Sequence, residues 1–119
     1  MEAPAQREMP LLVRLDGPAV VPPEYLRAAR TYREACRLAW QLRRVKSLTF
    51  RALAERCDLV YQHVGDYFNP DDGKHRRDLP GDAVRAIEQE LGNTAISQWH
   101  AAQAQLTILE EVQAMRRAA

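Results

Sequence analysis

The sequence predicts an all-α protein, a compact helical bundle preceded by an extended N-terminal arm and followed by a long C-terminal helix. Apolar residues recur at intervals of three and four residues from Glu24 onwards, which is the period of an amphipathic helix. Proline, which breaks helices, is missing between Pro23 and Pro70. The length of 119 residues suits one domain with an extension and is enough to bury a core.

Composition excludes two classes of protein. No apolar run reaches the length needed to cross a bilayer, and the first 17 residues lack the basic start and apolar stretch of a signal peptide. We therefore expect a cytoplasmic protein. Cys36 and Cys57 occupy apolar helical positions without a CxxC or Cys/His spacing, which predicts reduced core thiols rather than a disulfide or a metal pair.

Catalytic and metal-binding motifs are also missing from the sequence. There is no Gly-rich phosphate loop, no GxSxG and no HExxH, and His63, His75 and His100 stand far apart without a consistent acid partner. Asp71 and Asp72 lack the remaining ligands of an EF-hand. We therefore expect no enzymatic activity, no metal and no cofactor.

The chain before residue 48 divides into an arm and a helix. Residues 1–22 carry Pro and charge without helical period, which predicts a partly flexible arm with a short extended segment at Leu11–Leu15. From Glu24 to about Lys46 the spacing predicts one long amphipathic helix. Trp40 lies off the centre of its apolar stripe, where core packing is favoured over contact with a partner. The stripe comprises Tyr25, Leu26, Ala29, Tyr32, Ala35, Cys36, Ala39, Leu42 and Val45.

The stretch Leu48–Pro70 predicts a short helix, a tight turn and a second short helix. Thr49 can cap the first helix, because its hydroxyl accepts a hydrogen bond from an amide of the first turn. The small side chain of Ala54 allows the backbones of two steeply crossed helices to approach each other. Val64 and Tyr67 return to the same core from the second helix.

Several residues of this stretch form a pattern that resembles the helix-turn-helix of the Cro and lambda-repressor-like family. They are Leu48, Thr49, Leu53, Ala54, Glu55, Leu59, Gln62 (shifted by one position), Val64 and Asn69. Further along, the Asn-Pro turn at Pro70, the DLP helix start at Asp78 and the Gly-Asn helix stop at Gly92 are similar to phage CII-type and prophage regulators. Asp58 stands where the family usually has Gly, and Asp tolerates the left-handed backbone of that turn.

The resemblance implies a lambda-repressor-like domain over residues 23–101 that binds double-stranded DNA, with a recognition helix at about residues 60–69 in the major groove. Gln62 can then pair with adenine, Tyr61 can touch a phosphate or a thymine methyl, and Asp66 can accept from cytosine N4. The base-facing residues that the resemblance implies are Val60, Tyr61, Gln62, Gly65 and Asp66.

Two basic groups flank this stretch in the sequence. If they lie on either side of the recognition helix, they can contact DNA phosphates on both sides of the groove. The alternative is that these side chains only keep helix surfaces solvated, since a net charge of +1 is low for a DNA-binding domain. The expected phosphate contacts are Arg44, Lys46, Arg51, Lys74, His75, Arg76 and Arg77.

Two further helices are predicted in the C-terminal part of the chain. Asp78 caps a fourth helix with a single apolar stripe, and Gly92 ends it at the position of a left-handed cap. The last helix begins directly afterwards. Its first half is expected to close the core with Ile96 and Trp99.

Residues 102–119, the second half of the last helix, have too long an apolar face for a free tail. Helix-turn-helix proteins read two half-sites about one turn of DNA apart, so we expect this face to form a homodimer. Packing against the N-terminal helix of the same chain is the alternative. The expected dimer contacts are Leu106, Leu109, Val112 and Met115.

Two functions remain open. The first is a sequence-specific DNA-binding transcriptional regulator, similar to phage and prophage repressors, that acts as a dimer. The second is a protein-interaction module with a helix-turn-helix fold that binds another regulator or a polymerase. Gly65 offers no side chain to a base and Asp66 faces repulsion from phosphates, which favours the second function.

Overall fold

A computed structural model describes residues 17–71, 73 and 76–118, and these residues are mostly helical. One isolated parallel bridge joins Ala19 to Asn93, and the described residues form no β-strand. The prediction of an all-α protein is therefore confirmed. In chain order the elements are α1 (Pro23–Leu26), α2 (Tyr32–Gln41), α3 (Phe50–Cys57), α4 (Tyr61–Tyr67), a 3₁₀ turn (Gly81–Ala83), α5 (Val84–Leu91) and α6 (Ala95–Ala118).

The long helix predicted from Glu24 to Lys46 is divided into α1 and α2, so that prediction is wrong. Thr31 has an extended backbone (φ −126°, ψ 164°), and its hydroxyl accepts a hydrogen bond from the Glu34 amide at 3.1 Å. The Glu34 carboxylate accepts one from the Arg30 amide at 2.7 Å. These two hydrogen bonds satisfy amides around the start of a new helix. The apolar period runs on through the break because both helices pack against the same core.

The second helix also ends earlier than expected, at Gln41. Val45, predicted to face the core, is 51% exposed in the loop between α2 and α3. Lys46 donates to the carbonyl of Gln41 at 2.8 Å, and Arg43 donates to that of Trp40 at 3.0 Å. These side chains satisfy carbonyls that the end of a helix leaves without a partner, so the loop is held in place without further helix.

The core lies where α2 packs on α6, with α3, α4 and α5 around it. An aromatic cluster joins three elements, because the Trp40 ring lies 4.5 Å from that of Phe50 and 5.3 Å from that of Phe68. Trp40 is buried, as expected for core packing, and Cys36 and Cys57 are free thiols. The largest fully buried side chains are Phe68, Leu53, Ile87, Leu91, Ile96, Val21, Val64, Asn93 and Cys36.

Hydrogen-bonded polar groups fix the junction between α5 and α6. Gly92 ends α5 with a left-handed backbone (φ 82°), which confirms the predicted cap. Buried Asn93 donates to a carbonyl of α2 at 3.0 Å and accepts from the Ala95 amide at 3.1 Å. Buried Glu88 accepts from the amide and the hydroxyl of Ser97 at 2.9 and 2.6 Å. Because the bonds to Ala39 and Glu88 reach α2 and α5, the start of α6 is tied firmly to the domain.

Asp78 does not cap a helix, contrary to the prediction. Helix α5 begins later, after the 3₁₀ turn, and no side chain caps either element. The Asp78 carboxylate instead lies 3.0 Å from Nε of Arg33, and the Tyr32 hydroxyl donates to the carbonyl of Leu79 at 2.9 Å. A residue that precedes proline avoids helical backbone, so Pro80 delays the helix.

The described part of the predicted arm, residues 17–22, packs on the domain. Ala19 pairs its amide and its carbonyl with backbone next to the start of α6, at 2.9 and 3.0 Å. The side chain of Gln98 forms two hydrogen bonds with the backbone of Val21, both at 2.8 Å. Ala19 and Val21 are buried. The extended segment predicted at Leu11–Leu15 lies outside the described residues.

Helix α6 is 24 residues long, and only its first turns touch the domain core. Ile96 is fully buried, and Nε1 of Trp99 donates to the carbonyl of Ala29 at 2.9 Å, so these residues close the core as predicted. Every residue from 101 to 118 is exposed. Within the described ranges, no helix is long and apolar enough to cross a membrane.

Candidate nucleic-acid interface

Helices α3 and α4 are joined by a three-residue turn whose geometry follows from the local sequence. Thr49 caps α3 by accepting a hydrogen bond from the Ala52 amide at 3.1 Å, as predicted. Asp58 has the left-handed backbone expected of it (φ 56°, ψ 49°). The Leu59 amide donates to the carbonyl of Ala54 at 2.8 Å, which closes α3 and directs the chain into α4.

Helix α4 has one buried face and one exposed face. Val64 and Tyr67 are buried in the core. The exposed face consists of Val60, Tyr61, Gln62 and Gly65. Val60, which precedes the helix, is 51% exposed and Tyr61 is 44% exposed. These four residues include most of the predicted base-facing set, although the helix itself is shorter than the predicted 60–69.

A buried arginine holds the C-terminal end of α4. Arg33, near the start of α2, is 5% exposed. Its Nη1 donates to the carbonyls of Asp66 and Asn69 at 2.7 and 3.2 Å, and its Nε lies 3.0 Å from Asp78. A guanidinium that binds helix C-terminal carbonyls is favoured by their partial negative charge. Arg33 therefore fixes how α4 is oriented on the domain, a role that sequence reasoning missed.

Asp66 and Arg76 were expected to contact DNA at different positions, but they pair with each other. The Asp66 carboxylate lies 3.8 Å from Nη1 of Arg76, and Nη2 of Arg76 lies 3.7 Å from Asp71. Asp66 is only partly exposed, at the edge of α4 that faces the following loop. Contact with DNA in the predicted roles would compete with this ion pair, and those roles stay predictions.

Arg44 and Lys46, two further predicted phosphate contacts, also have partners within the domain. Nη2 of Arg44 donates to the carbonyl of Gly17 at 3.1 Å, and the side chain lies over Gly92. Lys46 donates to the end of α2. Desolvation, with the nearby positive charge of Arg43, lowers the pKa of Lys46. Both cations therefore serve to join elements of the fold.

Two of the predicted phosphate contacts are exposed near α4. The guanidinium of Arg51, on α3, lies over the Tyr61 ring with Cζ 4.4 Å from its centroid, a cation–π contact between the two helices. Arg77 is exposed next to the ion pair just described. Lys74 and His75 lie outside the described residues. Arg51 and Arg77 thus remain as the described cations that suit the predicted role.

A shallow cavity of about 320 Å³ opens beside the exposed face of α4, next to Gly65. Phe50 and Phe68 line it with stacked rings whose centroids are 5.9 Å apart, and Arg37 lines it from α2. Sequence reasoning assigned no binding role to Phe50. Only the packing of α2, α3 and α4 brings an aromatic surface and a cation together here.

The residues predicted for dimerisation divide into two groups. Leu106 lines a cavity of about 330 Å³ with Trp99 and α1 residues such as Leu26. Leu109 and Met115 project from the free part of α6 and are 58% and 68% exposed. Val112, the fourth predicted contact, is 38% exposed. The apolar surface is therefore present as predicted, and it is uncovered in the single chain.

The described residues contain no group of three or more His, Cys, Asp or Glu side chains that could hold a metal ion. His63 lies edge-on to Tyr67, with ring centroids 6.5 Å apart, and the His100 ring is 5.0 Å from that of Tyr32. Comparison of the chain with protein families, curated proteins and solved structures finds no match in any of the three.

Proposed function

We propose that this chain is a sequence-specific, cytoplasmic DNA-binding transcriptional regulator of the helix-turn-helix type, similar to phage and prophage repressors, that acts as a dimer. The observation that carries the proposal is the two-faced helix α4, with Val64 and Tyr67 buried and Tyr61, Gln62 and Gly65 exposed. A major groove admits one α-helix, whose outward side chains read base edges. Helix α4 has outward side chains of this kind on its exposed face, and Arg33 holds the helix in one orientation on the domain.

The residues of the exposed face take distinct roles. Gln62 can form two hydrogen bonds with adenine, the pairing that glutamine geometry favours. Tyr61, steadied by Arg51, contacts a thymine methyl or a phosphate. Arg51 and Arg77, with Lys74 and His75, bind phosphates. Because Arg76 balances the charge of Asp66, that carboxylate repels the DNA less than a free one.

The direct test is fluorescence anisotropy of the full chain with DNA from upstream of its own gene, at two salt concentrations, with a scrambled duplex as control. We expect binding to the upstream DNA about a thousandfold tighter than to the scrambled duplex, because specific affinities exceed nonspecific ones by at least that factor. Equal and weak binding to both duplexes contradicts the proposal.

Removing the base-reading side chain should change specificity. Gln62→Ala is expected to cost about 1–3 kcal/mol on the preferred duplex and to relax the preference at one base pair. Gln113→Ala, on the free part of α6, is the matched control and should leave DNA affinity unchanged. A Gln62→Ala protein that keeps the full preference at every base pair excludes this docking mode.

Removing a phosphate contact should instead weaken all duplexes alike. Arg77→Ala and Arg51→Ala are each expected to reduce the salt dependence, as the slope of log K against log salt, by about 1. Arg117→Ala near the end of α6 is the matched control. Slopes equal to that of the wild type show that these arginines stay solvated, as in the alternative interpretation of the basic groups.

A second candidate function is a protein-interaction module that binds another regulator or a polymerase through the same face. The observation that favours it is the exposed apolar surface of Val60 and Tyr61, together with the internal partners of Arg44, Lys46 and Arg76. Exposed aromatic residues often anchor protein interfaces. Here Tyr61→Ala abolishes binding to the protein partner, and anisotropy detects no preference between duplexes.

A further inference from the structure

The geometry of α6 points to a parallel pairing of its exposed half with the exposed half of α6 in a second copy of the chain. This inference deepens the proposed function by specifying how two copies meet, and it is tested without DNA. The seam of the pair, which we call the α6 seam, consists of Ala101, Gln105, Ile108, Val112 and Met115.

The spacing of the α6 seam is that of a coiled coil. Its members alternate at intervals of four and three residues, which is the heptad repeat that keeps one stripe of a helix facing a partner helix. Ile108 is 58% exposed and Met115 is 68% exposed, so the seam has no cover in the single chain. Helices in proteins gain most of their stability from packing an apolar face, so a helix with an uncovered seam is stabilised by a partner.

The seam points away from the domain to which α6 belongs. At about 100° per residue, Ile108 and Val112 lie roughly half a turn round the helix from Ile96 and Trp99. Ile96 and Trp99 face the core, so the α6 seam faces the opposite side. The domain therefore cannot cover the seam, and it does not stand in the way of a second helix.

Leu106 belongs to the other side. It lies at nearly the same angle as Trp99, and the two residues line one cavity together with α1. The expected dimer contacts are thereby revised, because Ile108 joins Val112 and Met115 in the seam while Leu106 leaves it. Leu109 flanks the seam on one edge.

The charged residues beside the α6 seam favour a second copy of the chain, in parallel orientation, as the partner of the seam. Glu111 flanks the α6 seam on one edge and Arg116 flanks it on the other, five residues later. In a parallel pair such residues meet across the interface, so each Glu111 faces Arg116 of the second copy. In an antiparallel pair the edge with Glu111 faces the same edge of the second copy, and so does the edge with Arg116. Like charges then lie on facing edges. The single polar seam residue, Gln105, further restricts register and the number of helices, as a polar core position does in coiled coils.

A parallel pair also suits the proposed function. Both domains then lie at the same end of the paired helices, related by a two-fold axis. That is the symmetry of a palindromic operator with two half-sites.

The interface is tested by sedimentation equilibrium of the full chain at micromolar concentration. We expect the wild type to dimerise, and Val112→Glu, which places a charge in the seam, to weaken dimerisation at least about tenfold. Ala114→Glu, two residues away and off the seam, is the matched control and should dimerise like the wild type. A monomeric wild type, or equal effects of the two variants, overturns the proposal.

The orientation is tested by exchanging the flanking charges. Glu111→Arg and Arg116→Glu should each weaken dimerisation several-fold, because each places like charges opposite each other. The double variant should restore dimerisation, because opposite charges again face each other across the interface. An antiparallel pair, or a seam that binds a different protein, gives no restoration. As an independent check, Met115→Cys should form a disulfide-linked dimer on oxidation in a Cys57→Ser background, since only parallel pairing brings the two copies of this position together.

The two proposals fail separately. If the protein shows no specific DNA binding, the sedimentation experiment still tests the α6 seam independently. A monomeric protein that still prefers its upstream DNA supports the recognition face, and it refutes the α6 seam together with the dimeric part of the proposed function.

Discussion

The two parts of α6 show how differently one continuous helix can be stabilised. Its beginning is tied to α2, to α5 and to the loop before α2 through Asn93, Glu88 and the indole of Trp99. Its remainder, residues 101–118, has no contact that buries a residue. Helical spacing continues across both parts, so sequence periodicity alone does not distinguish a helix that completes a core from one that awaits a partner. What distinguishes them is which side of the helix carries the apolar residues.

The largest expected effect compares the buried core of the domain with the free part of α6, using the same kind of substitution in each. Phe68→Ala removes a fully buried ring that stacks with Trp40, and we expect the free energy of unfolding to fall by about 3–5 kcal/mol. Leu109→Ala is the control on the free helix and should change domain stability by less than about 0.5 kcal/mol. Urea unfolding followed by tryptophan fluorescence measures both. Equal losses mean that the free helix folds back on its domain.

Alkaline pH should also destabilise only the domain. Burial raises the pKa of the Cys36 thiol to about 12, from an ordinary value near 9. Between these values the unfolded chain loses the proton and the folded chain keeps it, so the free energy of unfolding falls as pH rises, with a slope of at most about 1.4 kcal/mol per unit. Well below pH 9 both forms keep the proton, and the thiol's contribution to the slope vanishes.

Urea unfolding at about pH 8 and about pH 10.5 measures this loss. Cys36→Ala is the control, and it should show a smaller loss because that thiol is gone. Residues 101–118 contain no Cys, Tyr or Lys, so helix pairing should not change over the same window. A Cys36→Ala protein with the slope of the wild type contradicts the assignment.

Two glycines of the domain differ in their surroundings, since one is tightly packed and the other is open. At Gly92 a new Cβ lies 2.7 Å from Nε of Arg44 and the backbone is left-handed, so Gly92→Ala should cost about 1–2 kcal/mol or more. At Gly65, inside α4, nothing beyond the adjoining helix backbone lies within 4 Å of a new Cβ, and Gly65→Ala should stabilise the domain by about 0.5–1 kcal/mol. Thermal unfolding measures both. The same sign for both substitutions contradicts this account.

The smallest effect compares two threonines. Thr49→Ala removes the cap of α3 and should cost about 1 kcal/mol. Thr107→Ala, on the free helix, removes only a hydroxyl that bonds back to its own helix and should leave domain stability within about 0.5 kcal/mol. Unfolding curves for the two variants, measured side by side, should therefore separate. Overlapping curves indicate that the Thr49 cap contributes nothing.

Features that depend on a few neighbouring residues could be predicted from the sequence. The Thr49 cap, the left-handed turn at Asp58 and the stop at Gly92 are local, and each is confirmed. The core positions of Val64 and Ile96 followed from helical period. The break before α2 is also local. Its signal was the Thr31 to Glu34 capping pattern, which the continuous apolar stripe concealed.

Only the tertiary structure decided what the charged residues do. Arg33 meets the end of α4, Arg44 lies over Gly92 and Arg76 pairs with Asp66, all across turns or between distant segments. A sequence shows that a long cationic side chain is present, but its partner depends on which backbones the packed core brings within reach. By itself the sequence determined most of the helices, the caps at Thr49 and Gly92 and the apolar faces of α4 and α5, because these rest on local backbone preference and period. The partners of the charges, and therefore the composition of the exposed α4 face, required the fold.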